Sequence, residues 1–214
     1  MKKLRWNIAQ FLEVRWWRNY LSEKDKTNYY AWKKEYWRNF LSNHSIEIPS
    51  NQRILDAGCG PAGIFTVLQD HIVLALDPLL DYYQSRLPLF EPSDWPWVTF
   101  LKSTMEGFQS KATFNFIFCL NAINHVADLS KSLEVLSEVC APDGTLYLSV
   151  DVHRWYFFRW FFGLIPVDIL HPHQYTGAEY QQMLEAAGFR VLQVHTIKKE
   201  FFFNYLLIVA NKSA

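Results

Sequence analysis

The stretch that most constrains what this chain can fold into is RILDAGCGPAG, Arg53 to Gly63. The apolar pair Ile54 and Leu55 leads to an acid, Asp56, and then to Gly58, Gly60 and Gly63. Glycine takes positive φ without strain and lets a ligand approach the backbone closely. The next residues, IFTVLQ, suit a helix, and Pro61 fits its first turn, where a missing N–H leaves nothing unpaired. The segment therefore reads as strand, tight turn and helix, with the N–H groups of the helix start offered to a negative or polar ligand group. A dinucleotide site is one candidate, because the glycines also satisfy GxGxxG. Charge argues against it. The Asp56 carboxylate, two residues upstream of the first glycine, disfavours a pyrophosphate and favours a ligand that carries positive charge.

The chain around this turn alternates between strand and helix patterns. HIVLALD (71–77) is a short apolar run ending in Asp77, and with RILDAG it reads as a strand buried on both faces, as in a parallel sheet. A helix over Pro78–Leu87, a proline-rich turn over 88–97, and strands VTFLKS (98–103) and FNFIFCLN (114–121) follow. Leu129, Leu133, Leu136 and Val139 repeat at helical spacing, and Pro142-Asp143-Gly144 marks a turn before the strand TLYLSVD, 145–151. Thr176 with Glu179 forms a capping pair for a helix that stops at Gly188, and FRVLQVHTI and FFFNYLLIVANK close the chain as two strands. Alternation over 53–151 implies an α/β sheet with right-handed crossovers. Residues 3–42 read as two helices, the second capped by Ser22 or Thr27, with Tyr29, Trp32, Tyr36, Trp37 and Phe40 as one packing stripe and Lys33, Lys34 and Arg38 largely off it. The expected organisation is a helical cap over 1–49 and a ligand-binding domain over 50–214, interrupted at 152–175 by an aromatic insertion too long for an ordinary connection.

These features together resemble the class I S-adenosylmethionine-dependent methyltransferases of the small-molecule type. The family's E/D-x-G-x-G turn is matched by Asp56-Ala57-Gly58-Cys59-Gly60, and the likeness spans about residues 50–212. It extends to Asp77, to the helix-PDG-strand passage at 128–150, and to HPHQYTGAEYQQMLEAAGF before the last strands. The resemblance implies a Rossmann-like, seven-stranded, mostly parallel sheet with the last strand antiparallel and helices on both faces. It implies S-adenosylmethionine as cofactor and S-adenosylhomocysteine as product. The cofactor's amine and sulfonium are cationic, so Asp56 favours this ligand as it disfavours a pyrophosphate. Gly58, Cys59 and Gly60 would meet its methionine end, and Asp77 would accept hydrogen bonds from the ribose diol. Pro78 or Leu79 and Met105 would flank the adenine, and Asn121 would line the amino-acid part. Two departures stand out: Thr104, with Glu106 close by, occupies the place of an acid that often meets the adenine amino group, and Asn115 replaces an aspartate near the start of strand four.

In methyl transfer the cofactor carries the hard chemistry, while the protein aligns the reactants and excludes water. A base is needed only for an acceptor that holds its proton at neutral pH, and His125, His153, Asp151 and His171 are the candidates. Asn124, His125, Trp155 and His173 are expected on the substrate side. His171 and His173 form an H-x-H pair without a third ligand of convincing spacing, so no metal is expected. The segment WYFFRWFFGLIP (155–166) has three readings: a helix buried at the sheet edge, a lid formed with the N-terminal aromatic stripe over an apolar acceptor, or a peripheral membrane contact. The expected activity is methylation of a small apolar or aromatic molecule. The alternatives are a non-catalytic cofactor-binding protein of the same fold and a lipid or quinone methyltransferase at a membrane surface.

Charge and cysteine usage narrow the setting. Lys and Arg total 21, as do Asp and Glu, which argues against nucleic acid as a partner. Residues 1–50 hold ten basic and five acidic side chains, read as a solvated basic helical face. Cys59, Cys119 and Cys140 lie in unlike contexts with no CxxC, consistent with reduced thiols. Polar residues interrupt any signal-peptide core near the N-terminus and no apolar run approaches a membrane span, so a cytoplasmic protein is expected.

Overall fold

The computed structural model describes residues 2–153, 175–199 and 203–213. Two helices, α1 (Lys2–Leu21) and α2 (Lys26–Asn43), precede β1 (Arg53–Ala57), β2 (Ile72–Leu76), α3 (Leu80–Arg86), β3 (Val98–Leu101) and β4 (Phe114–Leu120). Then come α4 (Leu129–Val139), β5 (Cys140–His153), α5 (Gly177–Ala186), β6 (Phe189–Lys199) and β7 (Phe203–Lys212). The strands form one seven-stranded sheet in the order β3-β2-β1-β4-β5-β7-β6. β1 to β5 pair in parallel, while β7 runs antiparallel to both β5 and β6. This is the expected Rossmann-like sheet. Its order reverses between β1 and β4, and in open α/β sheets a crevice for ligands opens at the carboxyl ends of strands flanking such a reversal.

The strands read as apolar runs because helices or turns cover both faces. In β1 Ile54 faces one core cluster and Leu55 the other, and both are fully buried. One cluster joins β4 and β5 to α4 and α5 through Leu133, Leu136, Tyr180 and Leu184. The other joins the opposite face to α2 and α3 through Tyr30, Trp37, Phe40 and Tyr83. The Pro142-Asp143-Gly144 turn is absorbed into β5: the ladder pairs Phe114 with Cys140 and resumes at Phe116 with Thr145, leaving a bulge in which Asp143 takes φ 59°.

Local signals place most helix ends. Thr176 and Glu179 form the capping box of α5, and Gly188 follows that helix at φ 88°. α2 is capped by Asp25, whose Oδ1 accepts from the Asn28 N–H at 2.9 Å. This corrects the expectation for Ser22 or Thr27; the Ser22 hydroxyl instead donates back to the Asn19 carbonyl of α1. The aromatic stripe of α2 is also rotated from its expected position. Tyr29, Tyr30, Trp37 and Phe40 are buried, whereas Trp32 and Tyr36 are 49% and 40% exposed.

α2 grips the glycine turn directly. The Tyr30 hydroxyl donates to the Pro61 carbonyl and the Trp37 indole N–H to the Ala62 carbonyl, each at 3.0 Å. Tyr30→Phe removes only the hydroxyl and strands a buried carbonyl. It is expected to lower stability by about 1–2 kcal/mol, measured by urea denaturation as a lower midpoint at unchanged slope.

Candidate active site

The turn after β1 is built on hydrogen bonds to its neighbours. Gly58 and Cys59 both donate their N–H to the Leu76 carbonyl at the end of β2, at 2.7 and 3.0 Å. Gly58 lies at φ +75°, and a Cβ there would fall 2.3 Å from the Cβ of Ala122, in the loop after β4. Only glycine lets the two loops approach this closely.

The sequence predicts an α-helix after the turn; the structure has two short 3₁₀ turns, Gly60–Ala62 and Ile64–Val67. The reason is competition for carbonyls. Those of Pro61 and Ala62 go to Tyr30 and Trp37, that of Phe65 accepts from the Trp97 indole, and that of Gly63 accepts from the Thr66 hydroxyl. Carbonyls engaged in this way do not propagate an i to i+4 ladder, and 3₁₀ pieces are the short-range alternative. The N–H groups are also committed: Phe65 donates to Asp56 and Gly60 to Asp77. The turn thus faces the crevice with carboxylates rather than with a free helix terminus.

Both acids are buried, at 2% and 6% exposure. Asp56 Oδ2 accepts from Phe65 N at 3.1 Å. Asp77 accepts from Leu79 N at 2.8 Å through Oδ1 and from Gly60 N at 2.9 Å through Oδ2. Burial raises the Asp56 pKa to about 7, with the nearby Asp77 charge adding to the rise and the Phe65 N–H opposing it. Burial likewise raises Asp77 to about 6, against the pull of the Leu79 and Gly60 N–H groups. Among the described residues neither acid has a Lys or Arg partner within 4.0 Å. A cation in the crevice would satisfy both.

A cavity of about 520 Å³ opens here, and most of the expected residues meet in it. Asp56, Gly58, Cys59 and Gly60 come from β1 and its turn, Asp77 and Pro78 from the end of β2, Thr104 and Met105 from the loop after β3, and Asn121 and His125 from the loop after β4. The two departures are used structurally. Thr104 Oγ1 accepts from Gly107 N, and Asn115 Oδ1 accepts from Arg53 N at the start of β1. Glu106 lines the cavity while its Oε1 accepts from Ala127 N and Asp128 N.

Asn124, expected on the substrate side, is absent from the cavity lining. It is 2% exposed and lies beneath the cavity wall, where its Oδ1 accepts from the Tyr180 hydroxyl at 2.6 Å and its Nδ2 donates to the Asp151 carbonyl at 3.4 Å. Asp151 sits in β5 opposite Tyr205 of β7 and is absent from the cavity lining. His153 pairs with Phe203 at the end of the same strand. Trp155, His171 and His173 lie outside the described residues, as do 154–174 as a whole.

With this geometry in hand, comparison with known proteins is decisive at the level of family. A family model described as a methyltransferase domain matches residues 26–194. The chain belongs to this family. The match starts at the foot of α2, so the helix that grips the turn lies within it. The methyltransferase domain is 28% identical over 117 residues to a ubiquinone biosynthesis O-methyltransferase of Rickettsia canadensis, an alignment covering 54% of this chain and 49% of that protein. It therefore spans about half the length of the curated relatives it matches. Among solved structures it resembles a Burkholderia thailandensis 1,6-didemethyltoxoflavin-N1-methyltransferase with TM-score 0.63 and 17% identity, covering 96% of this chain and 90% of the other. A TehB-like S-adenosylmethionine-dependent methyltransferase of Corynebacterium glutamicum gives TM-score 0.62 at 17% identity, covering 97% and 99%. At these identities the likeness is one of fold.

Several residues of the methyltransferase cavity escape sequence reasoning. Glu13 and Trp17 of α1, and Lys33, Tyr36 and Trp37 of α2, form its outer wall. Tyr205 enters from β7, and its hydroxyl shares a 2.8 Å hydrogen bond with Ser149 Oγ, which in turn accepts from Asn121 N. One signal for Tyr205 existed. An antiparallel last strand brings its start to the carboxyl ends of the parallel strands, so residues early in β7 fall at the site. Tyr36 and Trp37 belong to the aromatic stripe that one reading makes part of a lid, whereas Glu13, Trp17 and Lys33 had no such signal, because helical spacing alone does not fix which side of a helix meets the crevice.

Proposed function

We propose that this domain binds S-adenosylmethionine at the glycine turn and transfers its methyl group to a small apolar or aromatic acceptor held beneath α1 and α2. The observation that carries this reading is the pair of buried acids, Asp56 and Asp77, with raised pKa and no cationic partner within 4.0 Å among the described residues. The residues fit the group. The acids suit its ammonium and ribose diol, the glycine turn gives room for its methionine end, and Pro78 and Met105 offer apolar surface to its base. When bound, S-adenosylmethionine supplies a methyl carbon already activated by the sulfonium.

The protein's own part is alignment and drying. Asn121, held at φ 54° with its N–H on Ser149, places its side chain at the carboxyl end of β4. Trp17 and Trp37 line the outer side, where their apolar rings would shield a bound acceptor from water. His125 lines the same cavity and is the base candidate best placed to take a proton from a neutral acceptor. The activities for which the Rickettsia and Burkholderia proteins are named support small-molecule acceptors, with oxygen and nitrogen both represented. No helix among the described residues is long and apolar enough to cross a membrane.

Isothermal titration tests the cofactor reading. S-adenosylhomocysteine is expected to bind with micromolar affinity, and incubation with methyl-labelled cofactor and a panel of phenols, catechols and heteroaromatic amines is expected to yield a labelled product. Absence of binding by both S-adenosylmethionine and S-adenosylhomocysteine up to millimolar concentration would sink it.

A further inference from the structure

The helical cap carries a surface that methyl transfer does not require. Trp16 is 52% exposed and Trp32 49%, and Leu12 and Tyr36 also stand in solvent. These side chains are not scattered. Leu12 and Trp16, four residues apart, share one side of α1. Ring centroids 4.9 to 6.3 Å apart link Trp16 to Tyr20, Tyr20 to Tyr29, Tyr29 to Trp32 and Trp32 to Tyr36. The rings thus form one chain that crosses from α1 to α2. Trp16 and Tyr36 also line the cavity, so the patch borders its mouth. A contiguous exposed apolar patch marks a contact with another protein or with a membrane.

Charge decides between these partners. Cations are interleaved with the rings: Lys24 Nζ lies 4.6 Å from the Tyr20 centroid, and Lys33 Nζ lies 5.3 and 5.4 Å from those of Trp32 and Tyr36. Neither ammonium has a carboxylate within 4.0 Å among the described residues. The wider field has the same sign. Residues 1–50 hold ten basic and five acidic side chains, whereas the rest of the chain holds eleven and sixteen. Two caps set face to face would oppose like charges, which disfavours a two-fold contact between copies. An anionic bilayer has the complementary sign. It attracts the cap and repels the acidic body, so the same asymmetry turns the patch toward the surface. Trp and Tyr rings beside lysine suit the headgroup layer, where ring bodies meet acyl chains and ammonium groups meet anionic lipid.

We propose that the aromatic and basic face of α1 and α2 docks the protein on an anionic phospholipid bilayer, with the mouth of the cavity at the lipid surface. This goes beyond the methyl-transfer reading and does not depend on it. The test is cosedimentation of the full chain with vesicles of phosphatidylcholine alone and of an equal mixture with phosphatidylglycerol. Binding to the anionic vesicles is expected to be about tenfold tighter at low salt, and most of that preference is expected to vanish at high salt. Brominated acyl chains in the anionic vesicles are expected to quench tryptophan fluorescence. Neither Lys24 nor Trp32 lines the cavity. Lys24→Ser combined with Trp32→Ser is expected to weaken anionic-vesicle binding about tenfold, through one cation and one interfacial ring, while circular dichroism shows the fold retained.

Failure to sediment with the anionic vesicles overturns the proposal. Binding that survives the double substitution overturns it too, because another part of the chain is then responsible. Sedimentation velocity of lipid-free protein supplies the remaining outcome. A dimer or longer assembly that the same two substitutions dissociate makes the patch an interface between copies and ends the membrane assignment, whereas a monomer leaves the patch open for lipid and supports it.

Discussion

Asp56→Asn is expected to stabilise the ligand-free protein at pH 8 while weakening S-adenosylmethionine binding about a hundredfold, the loss of a buried charge-assisted contact. The two effects have one cause. The Asp56 carboxyl titrates near 3.8 when exposed and near 7 in the fold. A carboxyl whose folded pKa is raised contributes stability that is complete below the unfolded pKa and is lost as pH rises through the folded one. The ligand-free wild type should therefore lose stability between about pH 4 and pH 7 on this account, by up to about 4 kcal/mol for a shift of this size. An amide still accepts the Phe65 N–H but does not ionise, so the substitution changes little at pH 5 and should gain about 2 kcal/mol at pH 8, part of the lost penalty. Binding has the opposite dependence. The cofactor's sulfonium is permanently charged and its amine stays protonated below about pH 8, so wild-type affinity should rise with pH as Asp56 and Asp77 ionise, and Asp56→Asn should flatten that rise. Thermal unfolding and titration calorimetry at pH 5 and pH 8 check both. A variant that is no more stable than wild type at pH 8, or that binds as tightly, contradicts the assignment.

Gly58→Val is expected to destabilise the protein by about 3–5 kcal/mol, combining the cost of a side chain in the left-handed region with that of overpacking. The melting temperature should fall by roughly 10 °C for a chain of this size. The added Cβ would sit 2.3 Å from the Ala122 Cβ and 3.2 Å from the Met105 Cε, forcing apart the loops after β1 and β4 that line the crevice. Gly60→Ala provides the comparison. Its φ is also positive, at +56°, but the nearest atom to an added Cβ is Trp17 Cζ2 at 3.7 Å. Only the conformational cost remains, about 1 kcal/mol. Paired with Ala122→Gly, Gly58→Ala should recover part of its loss, because the nearest clash is between these two side chains. Equal losses at positions 58 and 60 would show that backbone conformation, not loop contact, sets the glycine requirement.

What could be read from the sequence follows from which interactions are local. Apolar runs ending in Asp56 and Asp77 identify parallel strands and their ligand-facing ends, because the run and its acid are adjacent in the chain. The capping box at Thr176 and the stop at Gly188 are local as well. The 3₁₀ turns after Gly60 were not legible, since Tyr30, Trp37 and Trp97 capture their carbonyls from 25 to 32 positions away. Asn124 was assigned to the substrate side because its loop follows β4; a tyrosine 56 residues later claims its amide instead. Lys33 was read as a surface charge because helical spacing gives relative, not absolute, orientation. The departures at Thr104 and Asn115 were legible as substitutions, and the structure shows each still supplying an acceptor to a nearby N–H.

One helix serves both halves of the cavity. Positions 30 and 37 of α2 act as fasteners on the glycine turn, while positions 33, 36 and 37 furnish the cap wall. Trp37 takes part in both, so a change there acts on the wall and on the turn together. Exchanging Tyr36 alters the wall without removing a hydrogen bond to the turn, whereas a change at Tyr30 or Trp37 loosens the grip on the turn itself.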